Sequence, residues 1–429
     1  MRVLISAFVC EPLEGSEPEV GWRWAMEMAR HAEVVVVTQR KNRARIERYL
    51  ADHPDEAERV EFRYHAPGMG LERLRKRLRL GYFTLWQWTL RGVMERWLAE
   101  DPGIGLIHHV TFASFRYPCF LGGLGVPVVW GPVGGADEAP EGLLAYRGRQ
   151  RARLKERLRN GLTGVSRLLL PWLDPTGGGR SGIVLAATPS MARVLEGEGL
   201  CCETFPTIGM TDEEWHQAEP LAGVREPGPM RFLYVGRLHF LKGIHLLLEA
   251  VAGLTGREFE LTLVGGGPED GWLRGLAKEF GVAERVRFMG PVPRGELPEW
   301  YRRHDVIVSP SLYESGGLAT LEAMNHGLPA IVLDVGGHQL SVTRDCGIRV
   351  DPHGPGHEVV ARLRDALRTY LDRPELAVLH GAAARRRVAE RYLWSRKAES
   401  MLAIYRRVLA DAAVADGTPA RIVESECRQ

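Results

Sequence analysis

Val306-Ile307-Val308-Ser309-Pro310-Ser311-Leu312-Tyr313-Glu314-Ser315-Gly316-Gly317-Leu318-Ala319-Thr320-Leu321-Glu322-Ala323-Met324 is the stretch that decides the fold. Its first three residues are apolar and β-branched, which predicts a buried strand. Residues 318–325 are rich in helix formers. Glu314 therefore sits on the loop after a strand, and Glu322 lies about two turns into the next helix. Gly316 and Gly317 let the backbone approach a ligand closely, and a helix N-terminus offers free N–H groups to an anion. Carboxylates that accept from hydroxyls, beside amides that hold phosphate, suit a nucleotide-activated sugar. Two glutamates at this spacing also arise by chance on a solvated helix face, so the rest of the chain has to decide.

Working outward, apolar runs punctuated by glycine and proline predict strands at 3–8, 33–38, 60–64, 106–110, 127–130 and 183–187. A second series falls at 231–235, 258–264, 286–289, 305–309 and 329–333. Segments of helical period lie between them, at 20–30, 82–99, 244–254, 271–280 and 318–325. This alternation predicts an α/β protein whose parallel sheets are covered on both faces. The unbroken apolar run at 34–37 fits a strand buried on both sides. A Pro/Gly/Glu-rich stretch near 219–229 reads as a linker. The expected division is 1–205, a linker at 206–228, and a second domain at 229–390. Ligands of open α/β sheets bind beyond the carboxyl ends of the strands, so two facing sheets would enclose a cleft.

Composition narrows the class. The chain has 429 residues, 45% hydrophobic and 26% charged, as in ordinary globular proteins, and its net charge of +2 does not argue for nucleic acid. Cys10, Cys119, Cys201, Cys202, Cys346 and Cys427 are scattered, with no metal-type C-x-x-C, so reduced thiols and a cytoplasmic setting are expected. The apolar run at 3–9 is too short for a secretory leader, and no run approaches the length of a membrane span.

The predicted strand at 231–235 runs into Gly236-Arg237-Leu238-His239-Phe240-Leu241-Lys242-Gly243. Arg237 and Lys242 thus follow a strand's carboxyl end, where two cations could hold a diphosphate and stabilise its charge as it leaves. Solvated loop charges are the ordinary alternative.

Gly-Arg-x4-Lys-Gly after a strand, Leu263-Val264-Gly265-Gly266-Gly267-Pro268, Val286-Arg287-Phe288-Met289-Gly290, Pro310-Ser311 and the Glu-x7-Glu run occur in this order over residues 232–337. The set resembles the C-terminal domain of retaining glycosyltransferase family four. The resemblance implies the GT-B fold, two facing Rossmann-like domains with an interdomain cleft. It also implies a helix at 391–412 that crosses back to the first domain, with a loose tail at 413–429. Glu14-Gly15-Ser16-Glu17 resembles the family's N-terminal glycine loop, with Gly15 and Ser16 near the leaving diphosphate and the acceptor. His108-His109 resembles the place of the histidine near the transferred sugar. Adjacent strand residues point to opposite faces; His109 is the expected catalytic one, and His108 is kept as a substrate-binding candidate.

By the same resemblance, Glu322 accepts from the nucleotide ribose, Glu314 from the donor sugar, and Arg237 and Lys242 neutralise the diphosphate. Gly236, Ser315, Gly316, Gly317 and Leu318 place donor phosphate and sugar. Gly316 departs from the family, which has an aromatic residue there. The implied reaction moves a hexose-type sugar, with retention, from a UDP- or GDP-type donor to a glycan or lipid-linked acceptor. No resident cofactor and no metal are expected, since the chain has no Asp-x-Asp. A non-catalytic nucleotide-sugar or glycan-binding protein of the same fold is the alternative, with a phosphorylase or an epimerase on this scaffold as further rivals. Two basic segments, 71–79 with five Lys/Arg and 147–159 with seven, are either solvated helix faces or an anionic-membrane surface. Trp86 and Trp88 are expected to pack in the core.

Overall fold

The computed structural model describes every residue except 13, 14, 16, 69–78, 118, 148–153, 155–157, 159–160, 162–175, 177–181, 219–227 and 416–429. Strands β1 (Arg2–Ala7), β2 (Glu33–Gln39), β3 (Val60–His65), β4 (Ile104–Thr111), β5 (Val128–Val133), β6 (Gly182–Ala186) and β7 (Cys202–Thr204) form one sheet, in the order β3-β2-β1-β4-β5-β6-β7. Strands β8 (Met230–Val235), β9 (Phe259–Val264), β10 (Val286–Gly290), β11 (Val306–Ser309), β12 (Ala330–Leu333) and β13 (Gly347–Val350) form the other, in the order β10-β9-β8-β11-β12-β13. Neighbouring strands pair in parallel in both sheets. The strand order reverses direction between β1 and β4 and again between β8 and β11. Those switch points are where open α/β sheets leave room for a ligand.

Period-two alternation assigns each side chain to a face. In β1, Leu4 joins one hydrophobic layer while Val3, Ile5 and Ala7 join the opposite one. In β4, Ile107 faces the first layer and Leu106 and Val110 the second. Val34 to Val37 are all buried, which accounts for the unbroken apolar run in β2. Two further layers sandwich the second sheet.

The helix Trp394–Ala415 covers the first sheet, not the second. Trp394, Ala398, Met401, Ile404, Tyr405 and Val408 recur at helical spacing and join the layer of Val3, Ile5 and Ala7. The chain thus passes between the domains twice, and the passes pair with each other. Met210 N–H donates to the Tyr392 carbonyl at 2.8 Å, and Trp394 N–H donates to the Met210 carbonyl at 2.9 Å.

Several expectations change. β7 and β13 were not expected; both are short strands at sheet edges. Residues 206–218 of the expected linker are folded. They carry the helix Asp212–Gln217, started by a reciprocal cap between Thr211 and Glu214, and Met210 is buried in the second domain's core. Trp86 is fully buried, but Trp88 is 63% exposed, because residues two apart on a helix face nearly opposite ways. The basic segments 71–79 and 147–159 fall almost wholly outside the described residues. Arg147 itself pairs with Glu249 at 2.8 Å and Glu279 at 3.4 Å, across the domain boundary.

Candidate active site

The carboxyl ends of both sheets border a cavity of about 470 Å³, lined from the first domain by Glu17, Glu19 and Asp137 and from the second by Arg294 and the loop Glu314–Leu318. That volume suits a small ligand held between domains.

The second domain supplies a preassembled charge network. Lys242 ends a 3-10 turn after β8, and its Nζ donates to Glu314 Oε2 at 2.6 Å. Ser311 Oγ donates to the same oxygen at 3.3 Å, and Gly317 N–H donates to Oε1 at 3.2 Å. Burial pushes the Glu314 carboxyl up, but Lys242, the nearby His338 and the Gly317 N–H outweigh it and hold the carboxyl below its usual range. Glu314 is therefore an ionised acceptor of hydrogen bonds, not a proton donor. Gly317 takes φ 77°, the left-handed cap conformation that starts the helix Leu318–Asn325 without a Cβ penalty. Glu322, in that helix, accepts from the buried Tyr301 hydroxyl at 2.9 Å and from Arg294 at 3.3 Å. Burial pushes its carboxyl up, against the lowering effect of Tyr301 and Arg294. Arg294 also reaches Glu19 of the first domain at 3.3 Å, so one guanidinium links the two sides of the cleft.

Gly316 is small for a local reason. A Cβ there would stand 2.7 Å from Ile208 Cγ2. The space beside Gly316 is filled by Thr207 and Ile208 of the interdomain connection. Gly236 has φ 153°, and its carbonyl is so close to Gly265 that a Cβ on the latter would fall 1.9 Å away. This packs the loops after β8 and β9 together. Arg237, on the first of these loops, is exposed and makes no ion pair among the described residues.

The first domain's side of the cleft is built differently. Glu17 accepts from the Phe112 N–H at 2.6 Å. Asp137 accepts from Thr188 Oγ1 at 2.8 Å, while the same hydroxyl caps the helix Pro189–Gly197 by accepting from Met191 N–H. Gly15 lies against Arg294, whose Nη1 is 3.7 Å from the position of an added Cβ. Ser16 is outside the described residues.

Neither histidine lines the cavity. His108 shares the layer of Leu106 and Val110, where its Nδ1 meets the Tyr405 hydroxyl at 2.5 Å and its Nε2 meets the Gly131 carbonyl at 2.9 Å. His109 faces the other layer, with Nδ1 3.1 Å from Ser6 Oγ and Nε2 2.9 Å from the Gln87 amide. Both are at most 1% exposed, and burial lowers them to about 3 and about 4. The expectation that His109 faces the cleft is corrected: in a parallel sheet buried on both sides, either choice of face leads into a core.

Sequence reasoning passed over Arg294, Tyr301, Glu19, Asp137 and His338. Arg294 follows the carboxyl end of β10, so the rule that selected Arg237 and Lys242 would also have found it. The others had no motif: Tyr301 and His338 reach the site only through tertiary packing.

Residues 221–385 match the family described as glycosyl transferases group 1. The chain is 37% identical over 199 residues to D-inositol 3-phosphate glycosyltransferase 2 of Catenulispora acidiphila, which covers 43% of this chain and 45% of that protein. It is 33% identical over 215 residues to glycogen synthase of Mycobacterium tuberculosis, covering 49% and 50%. The chain thus spans about half the length of these curated relatives. In structure it is similar to sucrose-phosphate synthase from Thermosynechococcus elongatus, with TM-score 0.59 and 21% identity over 95% of this chain and 99% of the other. It is also similar to HepE of Anabaena in complex with UDP, with TM-score 0.56 and 14% identity over 95% and 99%. The matched segment is similar to glycosyl transferases group 1, and the two-sheet architecture is the GT-B fold.

Proposed function

We propose that this chain is a retaining glycosyltransferase that moves a hexose-type sugar from a UDP- or GDP-type donor to a hydroxyl of a glycan or lipid-linked acceptor. The observation that carries the reading is the network Lys242–Glu314–Gly317 at the head of a helix that also bears Glu322, at the carboxyl ends of the neighbouring strands β8 and β11 beside the cleft.

Each group has a task. Glu322 accepts from the ribose hydroxyls once Arg294 yields one of its oxygens. Glu314, held ionised, accepts from a hydroxyl of the donor sugar. Lys242 and the exposed Arg237 neutralise the diphosphate, and amides at the N-terminus of the helix Leu318–Asn325 add positive potential. The bond between the anomeric carbon and the diphosphate oxygen breaks as the acceptor oxygen bonds to the same face. The acceptor's proton passes to the departing phosphate oxygen, giving free nucleoside diphosphate. No carboxylate pair at glycosidase spacing takes part in that step. The fixed cations carry the leaving-group charge, so turnover is expected to persist in EDTA; loss of activity in EDTA with rescue by Mn²⁺ would overturn that part.

The test is a thermal-shift screen of UDP-, GDP- and ADP-sugars, followed by incubation of the stabilising donor with candidate acceptors. Binding to the native state alone raises apparent stability. Release of nucleoside diphosphate with retained anomeric configuration by NMR is the expected result. Donor binding with neither transfer nor hydrolysis would favour a non-catalytic binder. Because HepE was solved with UDP, UDP-sugars are the first to try.

A further inference from the structure

Lys397 has no part in the chemistry above, yet it is only 2% exposed. It stands in the first turn of the helix Trp394–Ala415. Its Nζ donates to the Ile208 carbonyl at 2.8 Å. The same nitrogen lies 3.8 Å from the Trp394 ring centroid, 5.3 Å from that of Trp24 and 5.8 Å from that of Phe205. No carboxylate pairs with it among the described residues. Burying an ammonium away from counter-charge is unfavourable, and burial pushes this group's pKa well down. The three rings offer the ammonium cation–π contact, and among the described residues its side chain makes one hydrogen bond, to the Ile208 carbonyl, which is where its function is to be sought.

That bond falls on the interdomain connection. Ile208 lies two residues before Met210, the point at which the two passages of the chain pair. At Gly209 between them, a Cβ would stand 2.8 Å from the Tyr392 carbonyl, so the passages are in close contact. The Ile208 side chain rests on Gly316, and Ile208, Gly316 and Trp394 all line the cavity. A continuous line of contact therefore runs from Lys397 through the Ile208 backbone and side chain to the donor loop.

We propose that Lys397 is a positioning residue that clamps the interdomain hinge through the Ile208 carbonyl and so seats Ile208 against Gly316 as a wall of the donor cavity. Its kinetic readout rests on the transferase reading above; its structural readout does not.

Lys397→Met keeps an unbranched apolar stem, one atom shorter, and removes the donor. The expected result is that the Met210 and Trp394 amides exchange hydrogen about tenfold faster or more, while core amides of β1 and β8 are unchanged. Donor KM should rise at least about threefold with kcat within about twofold, the signature of lost binding geometry. Gly316→Ala pushes on Ile208 from the opposite side and should raise donor KM in the same direction, and the double variant should be non-additive. Wild-type exchange at Met210 in Lys397→Met overturns the proposal. So does a uniform acceleration of exchange across β1, β8 and Met210, which marks a merely structural lysine. If Lys397→Met does not fold, Gly316→Ala decides: unchanged exchange at Met210 overturns the clamp. If the wild-type protein transfers no sugar, the transferase reading fails while the exchange measurement still tests the hinge.

Discussion

The two sides of the cleft are built on opposite plans. On the second domain's side, charged side chains meet each other before any ligand arrives: Lys242 holds Glu314, and Arg294 and Tyr301 hold Glu322. On the first domain's side, the carboxylates of Glu17 and Asp137 brace backbone and hydroxyl, and the histidines turn away into the cores. The difference teaches where chemistry and where shape are located. Under the proposed function, the nucleotide-diphosphate sugar brings a diphosphate and a ribose, so its side can be charged in advance, and the acceptor's side is read from the form of the surface.

The sharpest way to break this contrast is at Lys242. Lys242→Ala removes a cation from the leaving group and leaves Glu314 without its counter-charge, and kcat should fall about 100-fold or more. Near-wild-type turnover would remove Lys242 from the reaction. Glu322→Ala should weaken donor binding by about 1.5–3 kcal/mol, the value of a charge-assisted hydrogen bond. Calorimetry showing unchanged donor affinity would place the ribose elsewhere. His109→Gln, on the opposite side, should leave kcat within about threefold, since the imidazole acts in the core and not in the cleft. A collapse of kcat at unchanged thermal stability would make the first domain's side chemical after all.

Acid sharpens the comparison by a different route. His108, His109 and His338 are buried, and burial lowers them from the ordinary 6.5 to about 3, about 4 and about 4. Between these values the unfolded chain binds protons that the folded chain does not, so stability falls as pH falls from 6.5. Each imidazole should contribute up to about 1.4 kcal/mol per pH unit in that window. Denaturant unfolding at pH 6.5, 5.5 and 4.5 measures the slope; a flat profile would mean that the imidazoles are open to water. The smallest expected effect concerns the basic segments. If they meet an anionic lipid surface, each Lys or Arg near it contributes about 1 kcal/mol, and the protein co-sediments with phosphatidylserine vesicles at low salt. Protein left in the supernatant favours a soluble acceptor. Among the described residues no helix is long and apolar enough to cross a membrane.

The sequence was most readable where one residue's environment follows from its neighbours. Val34 to Val37 announce a doubly buried strand, and Glu314 and Glu322 announce a loop and a helix, because strand and helix periods are local. β7 stayed hidden because it is three residues long at a sheet edge, with Glu203 and Thr204 exposed, so no apolar signal marks it. Trp88 was misread because a tryptophan suggests a core while the helical period places it opposite Trp86. The histidine pair was misread because a strand end next to a cleft suggests a site, whereas Tyr405, almost 300 residues away in sequence, receives His108. Arg294 was within reach of the strand-end rule. Tyr301 and His338 were not, since only tertiary packing brings them to the glutamates.

Ile208 and Gly316 occupy one space between them. In evolutionary terms they form a heritable pair: enlarging residue 316 displaces Ile208 unless residue 208 has first shrunk, and shrinking residue 208 alone leaves a hole. An aligned set of true orthologues should show the two positions changing together, large against small. For anyone wishing to widen this cleft toward bulkier sugars, trimming Ile208 is the first step, and any substitution at Gly316 comes second.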